Sequence, residues 1–196
     1  MSSPAEAATT AGRPRERADA ARNRARVLAA AEEVFAAAGG SHGVTMEDIA
    51  RAAGVGRATL YRRYPDTTSI AQALLDEHEA GIRDRILTGP PPLGPGAPPE
   101  ERLAAFYRAM VVLLERHLHL VLGAEAGRAR FRAGSYGFWR RHVASLVDGA
   151  PPAVADALMA PLAPEVYQYQ RHVRGLGPDE VLAGLDWLTR RVLAGG

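Results

Sequence analysis

Arg57, Ala58, Thr59, Tyr61, Arg62 and Arg63 fall within one short stretch of this chain, a dozen residues after Thr45. Guanidinium forks and hydroxyls at such close spacing suit phosphate oxygens and base edges in a major groove. Arg57 is the candidate for a base edge. Thr59 and Tyr61 fit phosphate better, Arg62 and Arg63 suit either, and Thr45 with the amide end of its helix would hold a phosphate. For these groups to act together, the stretch 43–64 must fold as two short helices joined by a tight turn.

The residues supply that punctuation. Thr45 is an N-cap with Asp48 three positions on, which approximates a capping box, and Met46, Ile49, Ala50 and Ala53 share one helical face. Gly54 can adopt the left-handed backbone that ends the first helix, Val55 can fill the angle between helices, and Gly56 opens the second. Leu60 and Tyr64 then point inward and the polar set points outward. A solvated helical hairpin would share the Gly-Val turn. The agreement of turn, buried Val, paired arginines and upstream arginines favours a DNA reader.

Residues 22–87 resemble the DNA-binding domain of the TetR family of transcriptional regulators. The resemblance is carried by Phe35, Gly39, Thr45, Ile49, Ala50, Ala53, Gly54, Val55, Thr59, Leu60, Tyr61, Tyr64 and Pro65 at the family's spacing. Gly56 stands where the family usually has Ser, Tyr64 where it has Phe, and Arg63 where His or Tyr is common. Asp66, Thr67 and Thr68 replace a Ser-Lys-Glu-like run. The resemblance implies that the absent lysine would have given a phosphate contact from the fourth helix, a role that shifts to Arg62 or Arg63.

The chain has 196 residues, 47% hydrophobic and 23% charged, an ordinary globular balance. The formal net charge is only +2, so any attraction to nucleic acid has to be local. Every basic residue other than histidine is arginine, which a GC-rich coding sequence would also produce. With no cysteine, disulfides, thiolate metal sites and cysteine nucleophiles are excluded. No apolar signal core or membrane-length apolar run is visible, and a cytoplasmic protein without membrane association is expected.

The expected fold class is all-α, an N-terminal three-helix domain with a helix-turn-helix followed by a larger helical domain. Residues 1–18 read as a disordered basic arm; Arg13, Arg15, Arg17, Arg22, Arg24 and Arg26 would suit a narrow minor groove or simply a solvated tail. The DNA-binding domain is expected over 19–65, with Val27, Leu28, Ala31, Val34 and Phe35 as the inner stripe of its first helix. Helix 4 follows over 66–88, with Ile70, Ala73, Leu74, Ile82 and Ile86 inward. The run 89–99, dense in Pro and Gly, is read as a linker between domains.

Residues 100–196 are expected to form the effector-binding and dimerisation domain. Leu103 to Val121 carries one long helical stripe that breaks near Gly123. Further helices are expected over 136–147, over 153–174 with disturbances at Pro161 and Pro164, and over 179–193. Val181, Leu185, Leu188 and Val192 make a helix-packing seam. The resemblance implies that the last two helices pair with their twofold mates, with Tyr167 and this seam in the interface. The alternative is that the seam is buried within one subunit.

Phe106, Tyr107, Met110, His117, Phe131, Tyr136, Phe138 and Trp139 stand on helices that should surround a common interior. Phe106, Met110, His117, Phe138 and Trp139 are the candidate effector pocket, with plain core as the competing reading. Glu115, His117 and His119 look like metal ligands, but positions two apart on a helix point about 200° from each other. No metal site and no cofactor are expected. No phosphate loop, nucleophile elbow or H-E-x-x-H motif is present, Ser135 and Ser145 show no base partner in the sequence, and no enzyme is expected.

The expectation is therefore a ligand-responsive repressor that binds a palindromic site in double-stranded DNA as a homodimer and receives a small, largely apolar effector. One rival is a helical small-molecule-binding or catalytic protein with a vestigial helix-turn-helix. Another is an architectural protein without sequence preference.

Overall fold

The computed structural model describes residues 5–41, 43–124 and 134–194, with side chains from 18 onward apart from 123, 124 and 134. Phe131 lies outside the described residues. All regular structure among these residues is helical. The chain divides into two compact units, Met1–Leu74 and Leu75–Gly196.

In the first unit, α1 (Ala5–Ala38), α2 (Met46–Ala53), α3 (Arg57–Arg63) and the first turns of α4 (Thr67–Thr88) enclose a small core. Val27, Leu28, Ala31 and Phe35 of α1 are buried with Met46, Ile49, Ala50 and Ala53 of α2 and with Leu60, Tyr64, Ile70 and Leu74. Val34, expected among them, is half-buried. The disordered arm expected over 1–18 is corrected from Ala5 onward, where the backbone is already helical. Periodicity was the wrong measure for that segment, since Ala, Arg and Glu favour helix without needing an apolar stripe.

The second unit contains the rest of α4 with α5 (Pro99–Ala124), α6 (Gly134–Leu146), α7 (Ala153–Met159), α8 (Pro164–Gln168) and α9 (Pro178–Ala194). The expected helix over 153–174 is segmented: a 3-10 turn at Ala160–Leu162 joins α7 to α8, and a π-helical turn at Tyr169–Val173 extends α8. Proline explains the first interruption, because Pro161 and Pro164 have no amide hydrogen for an α-helical bond. The long helix bends at His117 (φ −131°, ψ 18°), six residues before the break expected at Gly123.

The Pro/Gly run 89–99 is not the domain boundary. The units part between Leu74 and Leu75, inside α4, and Leu93 is buried in the core of the second unit. The Gly94 amide donates to the Pro90 carbonyl at 3.0 Å, folding the run back on itself. Composition identified a helix breaker correctly, but a breaker can sit within a domain as readily as between two.

At the centre of the second unit Phe106 is fully buried, with ring centroids of Trp139 at 6.0 Å, Tyr107 at 6.1 Å and His142 at 5.4 Å, the last edge-on. The Tyr107 hydroxyl donates to the Leu158 carbonyl at 3.1 Å. Burial and the nearby Arg102 charge depress the His142 pKa to about 4. An unfolded histidine titrates near 6.5, so the unfolded chain binds a proton that the native chain refuses between those values. Stability from this residue is therefore complete above about pH 6.5 and is lost as pH falls towards 4, by on the order of 2 kcal/mol. His142→Leu should reduce the slope of this part of the stability profile, to which the buried His117 contributes in the same sense, measured by urea unfolding at stepped pH; an unchanged slope would remove His142 as a source.

Candidate nucleic-acid interface and ligand cavity

The local geometry of the helix-turn-helix follows from its caps. The Asp48 amide donates to Thr45 Oγ1 at 3.2 Å and the Thr45 amide donates back to Asp48 Oδ2 at 3.1 Å, closing the capping box. The Thr45 bonds hold the Asp48 carboxyl below its usual pKa. Gly54 takes φ 61°, ψ 37°, the left-handed conformation, and the Val55 amide donates to the Ala50 carbonyl at 3.0 Å. The turn delivers α3 with Leu60 buried and Arg57, Ala58, Thr59, Tyr61, Arg62 and Arg63 on the exposed side.

Two arginines of that set already have partners. Arg57 Nη2 forms an ion pair with Glu47 Oε1 of α2, both groups largely exposed. Exposed pairs of this kind contribute up to about 1 kcal/mol, so exchanging Glu47 for a nucleic-acid acceptor costs little. Arg63 Nη1 donates to the Ala20 carbonyl of α1 at 3.3 Å, which braces α3 from behind. Arg24 Nη1 similarly donates to the Tyr64 hydroxyl at 3.4 Å. A Phe at 64 would lack that hydroxyl, so the departure from the family pattern has a local use. At the start of α4 the Ser69 amide donates to Asp66 Oδ1 at 2.7 Å, so Asp66 and Ser69 supply the cap.

The second unit contains a cavity of about 610 Å³, in the range of small-molecule sites. Met110, Leu114, Trp139, Met159 and Leu162 give it an apolar wall, and Glu79, Tyr136, Arg140 and Asp156 supply its polar atoms. Of the expected pocket residues, Met110 and Trp139 line it. Phe106, His117 and Phe138 do not. Phe106 is central core, and Phe138 stands edge-on to Trp139 with the Arg83 guanidinium 5.5 Å from its ring centroid. His117 is buried where α5 bends, stacked on His78 at 4.2 Å, and its pKa is depressed to about 4 by burial and then by His78. All five share helices facing the interior, but helical spacing does not separate a cavity wall from solid packing.

Glu79 and Ser135 are the pair that sequence reasoning missed. Ser135 Oγ donates to Glu79 Oε2, and Arg83 Nη2 donates to Ser135 Oγ at 3.4 Å. Glu79 lies on α4 and its partner is 56 positions away, so no local signal joined them. The correction to Ser135 is that it meets a carboxylate. Glu115 faces Arg171 and Tyr167, accepting at 2.8 Å from each, and is not directed with His117 and His119 to one point.

The expected dimer residues divide by burial. Tyr167, Val181 and Leu185 are buried in the core of their own subunit, and Leu188 and Val192 are partly buried against it. The inner face of α9 runs Val181, Leu185, Thr189. Trp187, two positions after Leu185 and thus on the other side of the helix, is 56% exposed. Val166, Tyr169 and Val173 are exposed on α8 and its extension. Among the described residues no helix is long and apolar enough to cross a membrane.

A capped α2, a left-handed glycine turn and a polar-faced α3 form a helix-turn-helix. Residues 27–74 match the model of bacterial regulatory proteins of the tetR family. An uncharacterised HTH-type transcriptional regulator of Mycobacterium bovis is 54% identical over 39 residues, 20% of this chain and 21% of that protein. The chain thus aligns with about a fifth of the length of such curated relatives. Beyond that segment the likeness is one of fold. A TetR-like transcriptional regulator from Rhodococcus sp. RHA1 superposes with a TM-score of 0.61 at 20% identity, over 89% of this chain and 97% of that one. NalD, the secondary repressor of the MexAB-OprM multidrug efflux pump in Pseudomonas aeruginosa, gives 0.57 at 20% identity, over 89% and 96%. Residues 27–74 thus carry the DNA-binding segment typical of the tetR family, and the rest of the chain shares the fold of TetR-like regulators.

Proposed function

We propose that this protein is a repressor that binds a palindromic operator as a homodimer and releases it when a small, largely apolar effector fills the cavity of the second unit. The observation that carries this reading is the exposed polar face of α3, presented by the capping box and the Gly54 turn. Two such faces about 34–36 Å apart would enter successive major grooves on one side of a duplex. Trp187 of α9 and Val166, Tyr169 and Val173 of the α8 region supply exposed apolar surface for the dimer contact. Helix α4 is continuous from the first unit into the second and is the element through which an effector would alter the spacing of the heads. Differential affinity of the effector for the two spacings suffices for coupling.

Selection of bound duplexes from a random pool tests the reading, followed by titration of the enriched site and random DNA at two salt concentrations. Arg57→Ala should cost about 1–3 kcal/mol on the enriched site, while random duplex changes little. Equal losses on both would reassign Arg57 to phosphate. A chain that is monomeric, or that ignores every duplex at low salt, refutes the proposal as a whole.

A further inference from the structure

We infer that the cavity of the second unit selects a cationic amphiphile, an apolar body carrying one protonated amine, with the Glu79 carboxylate facing the charge. The inference rests on reading the cavity as the effector site. Most of the lining is aliphatic, thioether or indole surface, and the charged groups are Glu79, Arg140 and Asp156. Two of these satisfy each other: Arg140 donates through Nε at 2.7 Å and Nη2 at 3.1 Å to the two Asp156 oxygens.

Glu79 differs. It is 7% exposed, one oxygen accepts from the neutral Ser135 hydroxyl, and among the described residues it forms no ion pair. Arg83, one turn further along α4, is directed instead to Ser135 and the Phe138 ring. Burial holds the carboxyl above its ordinary pKa, and the Asp76 charge acts in the same sense, while Ser135 and Arg83 oppose them. A carboxylate placed against a largely apolar space has lost hydration without gaining a counter-charge. A ligand ammonium supplies that charge where little water competes. A neutral alcohol supplies at most a hydrogen bond, and a ligand carboxylate is repelled.

The test uses the full chain without DNA, titrated calorimetrically with decylammonium chloride, decanol and sodium decanoate below their aggregation limits. Decylammonium should bind at least about tenfold more tightly than decanol, with decanoate weakest. Glu79→Gln keeps the side-chain shape and an acceptor for Ser135, and should bring decylammonium down to the affinity of decanol while decanol itself is unchanged. Equal affinity for amine and alcohol, preference for decanoate, no binding of any of the three, or a cationic preference that survives Glu79→Gln each overturns the inference. Should Glu79→Gln fail to fold, Met110→Trp fills the cavity from another lining position. Loss of decylammonium binding there supports the cavity, and retained binding overturns it as surface adsorption. DNA release separates the two readings. Preference for decylammonium with unaltered operator affinity keeps the charge selection and removes effector control. Release by alcohol and amine alike keeps effector control and removes the charge selection.

Discussion

Phe106→Ala is expected to remove about 3–5 kcal/mol of stability, the range for deleting a fully buried phenylalanine. The ring is 0% exposed and sits among Tyr107, Trp139 and His142, so its loss leaves a closed void that rigid neighbours on α5 and α6 cannot collapse to fill. Against a total of about 5–15 kcal/mol for a typical domain, that is a large fraction. Met110→Ala is the informative partner. Met110 borders space that is already empty, so truncation enlarges an existing cavity and should cost less, while changing ligand affinity more. Urea unfolding of both variants checks this. If Phe106→Ala were tolerated within 1 kcal/mol (~1 kcal/mol being the limit for a well-tolerated swap), Phe106 would return to the cavity wall.

Leu60→Ala should abolish binding to the selected operator while leaving ligand binding by the second unit intact. Helix α3 has seven residues, far below the length of about 12–15 at which an isolated helix begins to hold in water. It exists because Leu60, 2% exposed, and Tyr64 anchor it to α1 and α2. Removing the Leu60 side chain should cost about 2–5 kcal/mol, drawn from a small core that has little else to hold α3 in place. The recognition face would then lose its fixed orientation, and the loss should appear on cognate and random duplex together, unlike that of Arg57→Ala. Operator titration, with calorimetry of decylammonium binding as the control, measures both effects. Operator affinity within twofold of the parent (about 0.4 kcal/mol) would show that α3 is held by something other than Leu60.

Much of the first unit was legible from residue order. Thr45 with Asp48, and Gly54, act through neighbours within four positions, and the inward face of Leu60 follows from helical periodicity; rules of cap, turn and helical face operate on that scale. The extents of α4, α6 and α9 came out within a few residues for the same reason. The second unit was legible as helices and far less as a site. Phe106 and Met110 stand four positions apart on one face of α5, yet one is solid core and the other borders the cavity. Trp187 was missed because a single apolar stripe was assigned to α9.

Sequence by itself determined the DNA-reading head, since its caps, its glycine turn and its inner and outer faces are properties of the chain over short distances. Tertiary structure decided which aromatics fill space and which surround it, that the Pro/Gly run belongs inside the second unit, and that Glu79 lies buried beside Ser135. Those outcomes depend on which helices meet, and a helix presents the same face to a neighbour or to a void without any change in its own residues.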